Sequence, residues 1–314
     1  MEFSGKRVII SGGAGFIGRA LVERLSALGA QITVVSRDED KHLSLRREFP
    51  EVRTRICDIR DLDLLRRLTE GHDFGIWAAS LKQIETCTQN PQIAKEVILD
   101  GALNQRRVSE EHLEAAVFVS TDKSRAPTTL YGYLKGAAGE SFVAGSQIAR
   151  LSTAVYGNVW NSTGSLIPAI WHALANDREL TLFSPDMTRF MIDASEAVQV
   201  LLDALEFNAC YVLPRLEAFR VREVFELYAE EFGLRYRLGK PRPAEKIHEL
   251  LATAEELPRL RWIDRGQRGF YVVDPCAEGP GVEDFPTGRY SSADHVVPKE
   301  RLRALLEERN YFRA

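Results

Sequence analysis

Short runs rich in β-branched residues alternate with segments of helical pattern through the first half of the chain, and this alternation constrains the fold most strongly. Parallel strands need long crossover connections, which helices of this length supply. Because such crossovers are right-handed, they cover both faces of one sheet. The sequence therefore predicts an α/β fold with a Rossmann-like, doubly wound parallel sheet. The predicted strands are residues 7–11, 31–35, 52–57, 74–78, 115–120 and 148–155, and the predicted helices are residues 16–28, 38–49, 61–68, 91–112 and 130–149.

The composition excludes several classes of protein. Of the 314 residues, 45% are hydrophobic and 27% are charged, as in an ordinary globular protein. Lys and Arg total 41 against 45 Asp and Glu, which leaves no basic excess for nucleic acid or an anionic membrane. No apolar run approaches the roughly 20 residues that span a bilayer, and the N-terminus enters a strand at once, so we expect a cytoplasmic protein. We expect no metal site and no disulfide, because ligand or pairing motifs are absent around the histidines and around Cys57, Cys87, Cys210 and Cys276.

A glycine-rich turn joins the first predicted strand to the first predicted helix. Its glycines, Gly12, Gly15 and Gly18, allow a tight turn, close approach of a pyrophosphate and close packing of the helix on the sheet. The first helical residues, Phe16 and Ile17, bring backbone N–H groups and the positive end of the helix dipole to the same place. This strand–turn–helix pattern predicts binding of a dinucleotide cofactor.

The end of the second strand indicates which dinucleotide is bound. A carboxylate at this position binds the ribose 2′-hydroxyl of NAD, whereas a cation favours the 2′-phosphate of NADP. Here Ser36 and Arg37 stand at the strand end with Lys41 close behind, so we expect NADP rather than NAD. The alternative is a solvated charged turn that opens a helix. The ends of the next two strands are also expected on the cofactor, through Asp58, Ile59, Ala78 and Ala79.

The regular alternation ends near Asn158, where prolines and short mixed segments begin. We expect residues 1–157 to form the NADP-binding Rossmann domain, to which residues 189–213 return. Residues 158–188 and 214–314 are expected to form a smaller mixed α/β lobe that binds substrate.

Tyr131 and Lys135 stand four residues apart on a predicted helix, so the two side chains share one face. A nearby ammonium is expected to lower the pKa of the phenol, which could then take a proton from a hydroxyl group as hydride leaves carbon. Together with the glycine-rich turn and Thr121 at a strand end, the pair resembles the extended short-chain dehydrogenase/reductase superfamily. That resemblance places Thr121 in the catalytic group.

Asp122 and Lys123 directly follow Thr121. A carboxyl group and an amine beside the Tyr131–Lys135 pair supply two further proton-transfer groups. Epimerisation at C4 of a sugar needs neither, whereas elimination of water needs a base for carbon and an acid for the departing hydroxyl. The alternative is a strand-end turn whose Asp122–Lys123 pair faces solvent.

Several segments resemble the soluble, inverting UDP-N-acetylglucosamine 4,6-dehydratases of the polysaccharide-biosynthesis type, over residues 5–297. The matching segments are Thr121-Asp122-Lys123, Leu81-Lys82-Gln83, Tyr156-Gly157-Asn158-Val159, Gly164-Ser165-Leu166-Ile167-Pro168, Met187-Thr188-Arg189-Phe190, Glu245-Lys246-Ile247-His248-Glu249 and Arg289-Tyr290-Ser291-Ser292.

The resemblance implies a mechanism on a nucleotide sugar. Tyr131, activated by Lys135, deprotonates the C4 hydroxyl as hydride passes to NADP⁺. Lys123 then removes the C5 proton, and Asp122 protonates the departing C6 hydroxyl. The resemblance also implies a homo-oligomer and a substrate site formed by Lys82, Asn158, Ser165, Pro168, Arg189 and Glu245.

Some of these assignments have alternatives. Arg189 could be a surface arginine in a strand, paired with Asp186 or Asp193, and Glu245 and Lys246 could belong to an exposed turn of helix. Val155 and the Trp160–Thr163 stretch depart from the family pattern and remove expected cations, which leaves the nucleotide and sugar open. A sugar-nucleotide epimerase or 5,6-dehydratase on the same scaffold and a non-catalytic dinucleotide-binding module are the remaining hypotheses.

Overall fold

The protein is described by a computed structural model that covers residues 1–241, 244–266, 268–275, 277 and 285–312. Its strands are β1 (Arg7–Ser11), β2 (Gln31–Ser36), β3 (Arg53–Ile56), β4 (Phe74–Trp77), β5 (Ala115–Thr121), β6 (Arg150–Tyr156), β7 (Asn158–Val159), β8 (Leu180–Leu182), β9 (Thr188–Ile192), β10 (Cys210–Pro214), β11 (Ala218–Arg220), β12 (Tyr236–Leu238), β13 (Leu250–Ala252), β14 (Leu260–Asp264), β15 (Gly269–Val273) and β16 (Tyr290–Ser291). Its α-helices are α1 (Phe16–Ala27), α2 (Glu39–Glu48), α3 (Leu62–Thr69), α4 (Ile84–Gln89), α5 (Pro91–Lys95), α6 (Gly101–His112), α7 (Leu130–Val143), α8 (Leu166–Ala175), α9 (Ala194–Ala204), α10 (Val221–Phe232) and α11 (Lys299–Glu308).

A nine-stranded sheet with the order β14-β15-β10-β6-β5-β4-β1-β2-β3 forms the centre of the fold. The strands from β10 to β3 in this order run parallel, and β15 and β14 are added antiparallel at one edge. The chain starts at β1, moves outward to β3 and returns to β4 on the other side of β1. The expected doubly wound sheet is confirmed, and its switch point between β1 and β4 is where such sheets bind ligands.

Helices cover both faces of this sheet, because the parallel strands are apolar on both sides. One face packs against α1 and α9 through a core that includes Val8, Leu21 and Leu201. The other face packs against α3, α6 and α7 through a core that includes Trp77 and Phe118. Burial of each such side chain contributes roughly 1.5–3 kcal/mol to the free energy of folding. The two helical layers therefore hold in place the strand ends that carry the ligand-binding loops.

Most predicted elements of the first half are present with ends shifted by one or two residues, and two helices differ more. The predicted helix over residues 91–112 is formed by α5, a π-helical turn at Glu96–Asp100 and α6. The predicted helix over residues 130–149 ends at Val143, because Ala144 is extended and Gly145 has a left-handed φ of 66°. The helix predicted over residues 130–149 was therefore too long by six residues, or about 1.7 turns.

The rest of the chain forms smaller sheets beside the central one: β11-β9-β7, β12-β8 and β13-β16. With α8, α10 and α11 they enclose a separate core that includes Trp160, Phe225 and Tyr228. β10 and α9 return to the central sheet, as do β14 and β15, whereas β9 joins the smaller sheet. The division of the chain into two domains at the residues given above stays a prediction.

Two further sequence expectations concern the chain as a whole. None of the helices in the described part of the chain has the length and apolar character needed to cross a bilayer. Cys57, Cys87 and Cys210 carry free, buried thiols, and Cys276 lies outside the described residues.

Candidate active site

A cleft of about 1450 Å³ opens at the carboxyl ends of the parallel strands and is closed on its far side by the smaller sheets. A pocket for a single ligand typically measures about 300–1,000 Å³, so this cleft has room for a dinucleotide and a second ligand together. Its lining includes the predicted residues Gly12, Gly15, Phe16, Ile17, Gly18, Ser36, Arg37, Lys41, Asp58, Ile59, Ala78, Ala79, Lys82, Thr121, Lys123, Tyr131, Lys135, Asn158, Ser165, Arg189 and Glu245.

Two predicted site residues do not line the cleft. Asp122 is completely buried behind Thr121 and Lys123, so only its neighbours reach the open space. Pro168 lies in the first turn of α8 and is half-buried away from the cleft. A direct contact of Pro168 with a ligand in this cleft is therefore not supported.

The glycine-rich turn forms the floor of the nucleotide end. A Cβ atom on Gly18 would lie 2.4 Å from the carbonyl oxygen of Gly12, and one on Gly12 would lie 2.9 Å from the backbone nitrogen of Ala79. Gly15 caps α1 without a side-chain hydrogen bond, and the first turn of α1 carries no acidic residue. The N–H groups at this helix end are therefore available to an anion, and the turn fits the pyrophosphate of a dinucleotide.

Two cations, Arg37 and Lys41, follow the end of β2, and both side chains are largely exposed to solvent. The Arg37 guanidinium lies 3.8 Å from an Asp58 oxygen, but Arg60 binds that same oxygen at 2.7 Å. Hydrogen bonds from Arg60 and its charge hold the pKa of Asp58 below its usual value, so Asp58 is an anion already committed to another arginine. Lys41 pairs with Asp38 at 2.7 Å. Of these two cations, Arg37 is therefore the more available to a phosphate group bound at this end of the cleft.

Helix α7 brings Tyr131 against the turn that follows β5. Thr129 caps the helix by accepting a hydrogen bond from the N–H of Gly132 at 3.2 Å. A Cβ atom on Gly132 would lie 2.4 Å from the carbonyl oxygen of Lys123, so glycine is needed for this close approach. The approach fixes Tyr131 and Lys123 in one rigid unit at the cleft.

The expected lowering of the Tyr131 pKa by Lys135 is not found. Burial raises the pKa of Tyr131 to about 12, and the cation that opposes this shift is Lys123. Lys135 instead donates a hydrogen bond to the carbonyl oxygen of Val119 at 2.9 Å and lies over the Phe118 ring. Burial lowers the pKa of Lys135 to about 7, so it is a weaker cation than an exposed lysine. Without the cofactor, Lys123 therefore has the larger influence on the phenol.

Lys123 belongs to a buried charge cluster formed by Asp122, Lys123, Arg189, Glu245, Lys246 and Glu249. Its Nζ lies 3.1 Å from Asp122 Oδ1, 3.3 Å from Asn158 Oδ1 and 3.4 Å from Glu249 Oε1. Three acceptors around one nitrogen require three N–H donors, which only the ammonium form provides. Burial opposes this charge, but the carboxylates of Asp122 and Glu249 outweigh it and raise the pKa of Lys123.

Asp122 occupies the inner side of the same cluster. Its Oδ1 accepts hydrogen bonds from Thr121 Oγ1 at 2.9 Å and from Lys123, whereas its buried Oδ2 has no partner among the described residues. Complete burial raises the pKa of Asp122, although the charge of Lys123 opposes the shift. The carboxyl group can therefore accept a proton more readily than an exposed aspartate. A solvent-facing Asp122–Lys123 turn is excluded.

Arg189 does not have the surface position of its alternative interpretation, and Glu245 is half-buried and lies outside the described helices. The buried guanidinium of Arg189 lies 3.2 Å from Glu245 and 3.9 Å from Glu249, whereas Asp193 pairs with Arg309. Backbone carbonyls of Thr188 and Ile247 accept further hydrogen bonds from Arg189. Arg189 is therefore part of the cleft wall and not a surface arginine.

Sequence reasoning missed Lys246 and Glu249 as cleft residues. Lys246 donates a hydrogen bond to the carbonyl oxygen of Arg125 at 2.6 Å and pairs with Glu249 at 3.4 Å. Glu249 meets Lys123 only through the tertiary fold, and no local spacing signals that contact. At the other wall, Lys82 donates to the backbone carbonyl of Thr163 at 2.6 Å and so bridges the mouth of the cleft.

Comparisons of the sequence with known proteins identify a family and several relatives. Residues 8–264 match the family described as polysaccharide biosynthesis protein. A protein of Methanocaldococcus jannaschii named uncharacterized membrane protein MJ1061 is 30% identical over 99% of this chain and 98% of its own. A UDP-N-acetylglucosamine 4,6-dehydratase (inverting) of Campylobacter jejuni is 29% identical over 81% of this chain and 79% of its own. A UDP-glucose 4-epimerase of Rickettsia felis is 29% identical over 98% of this chain and 91% of its own.

Among solved structures, Pen from Bacillus thuringiensis superposes with a TM-score of 0.88 over 99% of both chains at 24% identity. This likeness shows the shared fold. The match over residues 8–264, with the doubly wound sheet and the cleft described above, means that the chain belongs to the polysaccharide biosynthesis protein family of extended short-chain dehydrogenases/reductases.

Proposed function

We propose that the protein is an NADP-dependent sugar-nucleotide 4,6-dehydratase, a lyase whose substrate is UDP-N-acetylglucosamine or a close analogue. The observation that carries the proposal is the contact of Asp122 and Lys123 beside Tyr131 at one cleft. These groups are what an elimination of water needs in addition to hydride transfer. The named activity of the Campylobacter relative supports this substrate class. A homo-oligomeric state and a cytoplasmic location stay predictions.

The cofactor assignment follows from the nucleotide end of the cleft. When bound, a nicotinamide cofactor accepts a hydride from the sugar and later returns it. The glycine-rich turn and the free N–H groups of α1 would hold its pyrophosphate. Arg37, with Ser36 and Lys41 beside it, would bind a 2′-phosphate. The carboxylate that follows β2, Asp38, caps α2 and pairs with Lys41 at 2.7 Å, so it is already engaged.

Proton transfer starts at Tyr131, which takes the proton of the C4 hydroxyl as C4 is oxidised to a ketone. Because burial raises the pKa of Tyr131, its phenolate form would depend on the positive charge of Lys123, the cation that opposes this shift. The new ketone makes the C5 proton acidic.

The Asp122–Lys123 pair would carry out the elimination. Transfer of one proton from Lys123 to Asp122, across their 3.1 Å contact, converts an ion pair into an amine base and a carboxylic acid. Lys123, at the cleft surface, would then remove the C5 proton. Thr121 lines the cleft and hydrogen-bonds Asp122, so it can relay the Asp122 proton to the C6 hydroxyl, which leaves as water. Lys123, protonated by the C5 proton, would then return a proton to C5, which completes the part of the reaction carried by this chain's own residues.

The rest of the cleft would bind the nucleotide sugar. We assign Lys82, Asn158 and Ser165 to contacts along the substrate, since all three line the cleft. The buried hydroxyl of Ser165 also has no hydrogen-bond partner in the described part of the chain. Arg189 and Glu245 would contact the diphosphate or ribose. Pro168 would act only by shaping the start of α8, as it does not reach the cleft.

A C4 epimerase is the second candidate function. The similarity to a UDP-glucose 4-epimerase over 98% of this chain favours it, as does the position of Asp122 behind the cleft surface. Replacement of Lys123 by Arg, which keeps the positive charge beside Tyr131 but cannot act as a base, separates the two functions. An epimerase would retain most of its activity in that variant, whereas a dehydratase would lose it.

Mass spectrometry in heavy water tests the proposal. Purified protein is incubated with NADP⁺ and UDP-N-acetylglucosamine, with other UDP- and dTDP-hexoses in parallel. A product that has lost one water and gained one deuteron would support dehydration with exchange at C5. Deuterium uptake without loss of water would contradict the dehydratase and indicate C5 epimerisation. Conversion to a C4 epimer without either change would establish the second candidate.

A further inference from the structure

Glu249 lies at the centre of the buried charge cluster. The mechanism above gives this carboxylate no role. Its side chain is 3% exposed, and it lies 3.4 Å from Lys123, 3.4 Å from Lys246 and 3.9 Å from Arg189. Burial opposes its charge, but these three cations together hold the pKa of Glu249 below its usual value. A buried anion in contact with three cations is a fixed element of the site, because removing any partner leaves a charge uncompensated.

The backbone and neighbours of Glu249 fix its position. Its N–H donates a hydrogen bond to the Ser292 hydroxyl at 2.9 Å, and that hydroxyl lies 2.6 Å from Thr188 Oγ1. Glu249 directly precedes β13, which pairs with β16 outside the central sheet. Lys123 follows β5 of the central sheet. The contact between them therefore joins the two halves of the cleft at the reacting amine.

We propose that Glu249 is a positioning residue for the Asp122–Lys123 pair: it holds the Lys123 amine at the cleft and determines which member of the pair carries the proton. This inference rests on the proposed function, in which Lys123 must become an amine before it reaches C5. Glu249 and Asp122 compete for the same ammonium. The charge of Glu249 raises the pKa of Lys123, which it contacts at 3.4 Å, and also raises the pKa of Asp122 by repulsion. The effect on the contacting amine is the larger one in this inference, so loss of the charge would favour the neutral pair of amine and carboxylic acid.

Other charged and polar groups also face Lys123, and the test must separate their effects on its proton affinity from the effect of Glu249. Asp122 lies on the same turn, Tyr131 on α7, Asn158 on β7 and Arg189 on β9. Arg189 lowers the pKa of Lys123, against the two carboxylates. Glu245 contacts Arg189 at 3.2 Å. Among the described residues, the carboxylates paired with Lys123 are Asp122 and Glu249, which makes Glu245→Gln the matched control. Both substitutions remove one negative charge from the same cluster, and only one removes it from contact with Lys123.

The experiment measures the proton affinity of Lys123 without any substrate. The full-length protein is acetylated with trace acetic anhydride at a series of pH values, and the extent at Lys123 is read by peptide mass spectrometry against the exposed Lys240. The acetylation rate that Lys123 reaches at high pH reports how accessible it is to the reagent. The pH at which half of that rate is reached, the midpoint, reports the proton affinity of Lys123. In the wild type, the rate at Lys123 should still rise at about pH 11, above the ordinary lysine midpoint of about 10.4.

Glu249→Gln should lower the midpoint by about one pH unit, which makes Lys123 about tenfold more reactive at a fixed pH below the midpoint. Glu245→Gln should leave it at the wild-type value, and Glu249→Asp should give an intermediate value. An unchanged midpoint in folded Glu249→Gln would overturn the inference, as would an equal shift in Glu245→Gln. If Glu249→Gln does not fold, an unchanged midpoint in Glu249→Asp overturns it instead.

A turnover measurement separates this inference from the proposed function. In a working dehydratase, Glu249→Gln should move the acidic limb of the pH profile for C5 deuterium exchange to lower pH, by the same amount as the labelling midpoint. A labelling shift in a protein that dehydrates no sugar nucleotide would refute the proposed function and leave the contact between Glu249 and Lys123 supported. A labelling shift with an unmoved acidic limb would show that Lys123 is not the group that Glu249 controls in turnover.

Discussion

The two ends of the cleft carry charged residues in opposite environments. At the end of β2, the side chains of Arg37 and Lys41 are 59% and 60% exposed and meet their partners in water. At the end of β5, Lys123 contacts two carboxylates whose side chains are 0% and 3% exposed. An exposed pair contributes about 0–1 kcal/mol, whereas breaking a buried pair costs about 3–5 kcal/mol. The nucleotide end can therefore reorganise around a ligand, and the reacting end must be assembled by folding itself.

The largest expected effect is at the reacting end. Tyr131→Phe should lower kcat/KM roughly 10²- to 10⁴-fold, because the phenol is the group placed to take the C4 hydroxyl proton. The control is Tyr133→Phe on the same helix, since Tyr133 is 59% exposed and lies outside the cleft. Steady-state kinetics with the substrate identified by mass spectrometry measures both. Comparable activity in the two variants would remove Tyr131 from the mechanism.

A stability measurement tests the difference between the two ends directly. Lys123→Ala should lower the free energy of unfolding by about 3 kcal/mol, because it leaves Asp122 and Glu249 without their shared cation. Lys41→Ala at the nucleotide end should change it by less than about 0.5 kcal/mol, since its pair with Asp38 is exposed. Urea unfolding of both variants provides the comparison. Equal losses would show that the buried charges are no more interdependent than the exposed ones.

The pH dependence of stability should reveal the buried Lys135. Its pKa falls from 10.5 to about 7 on folding, so between these values the unfolded chain binds more protons than the folded one. Stability therefore rises with pH across this window, and the destabilising effect of Lys135 is largest below pH 7. Lys135→Met should be more stable than the cofactor-free wild type by about 1–3 kcal/mol at neutral pH. This advantage should shrink toward pH 10, as measured by urea unfolding in a pH series. A pH-independent difference would contradict the shift.

The smallest expected effect is at the nucleotide end. Arg37→Ala should lower the preference for NADP over NAD about tenfold, as expected for loss of one exposed guanidinium contact with a phosphate. Arg53→Ala is the control, because this exposed arginine on β3 lies outside the cleft lining. Fluorescence titration with each cofactor gives the ratio of dissociation constants. An unchanged ratio would mean that Arg37 is only part of a solvated turn.

Local patterns were sufficient to predict the central parallel strands and the glycine-rich turn. Apolar runs such as β4 are buried in place, and the glycines at 12 and 18 are required by contacts within a few residues or with the neighbouring strand. The Asp122–Lys123 pair was likewise found from adjacent residues. These features depend on short-range geometry, which sequence patterns record.

The features that were missed depend on contacts between distant segments. Glu249 reaches Lys123 across the cleft, and its charge alone does not distinguish it from any exposed glutamate. β14 and β15 join the edge of the central sheet, although their position in the chain suggested the smaller lobe. The pKa of Tyr131 was expected to fall under the influence of Lys135 and instead rises, because burial of the phenol outweighs the charge of Lys123. Lys135 is itself buried, and its own pKa falls to about 7.

The missing Cβ atom of Gly132 has a consequence for how this protein can be adapted to other sugars. Because Gly132 rests on the carbonyl of Lys123, the phenol and the amine cannot be moved apart without rebuilding the start of α7. Changes of substrate size must instead be accommodated across the cleft, where the segment around Thr163 is attached to Lys82 through one backbone carbonyl. Engineering of specificity should therefore diversify residues 161–165 and keep residues 121–135 intact.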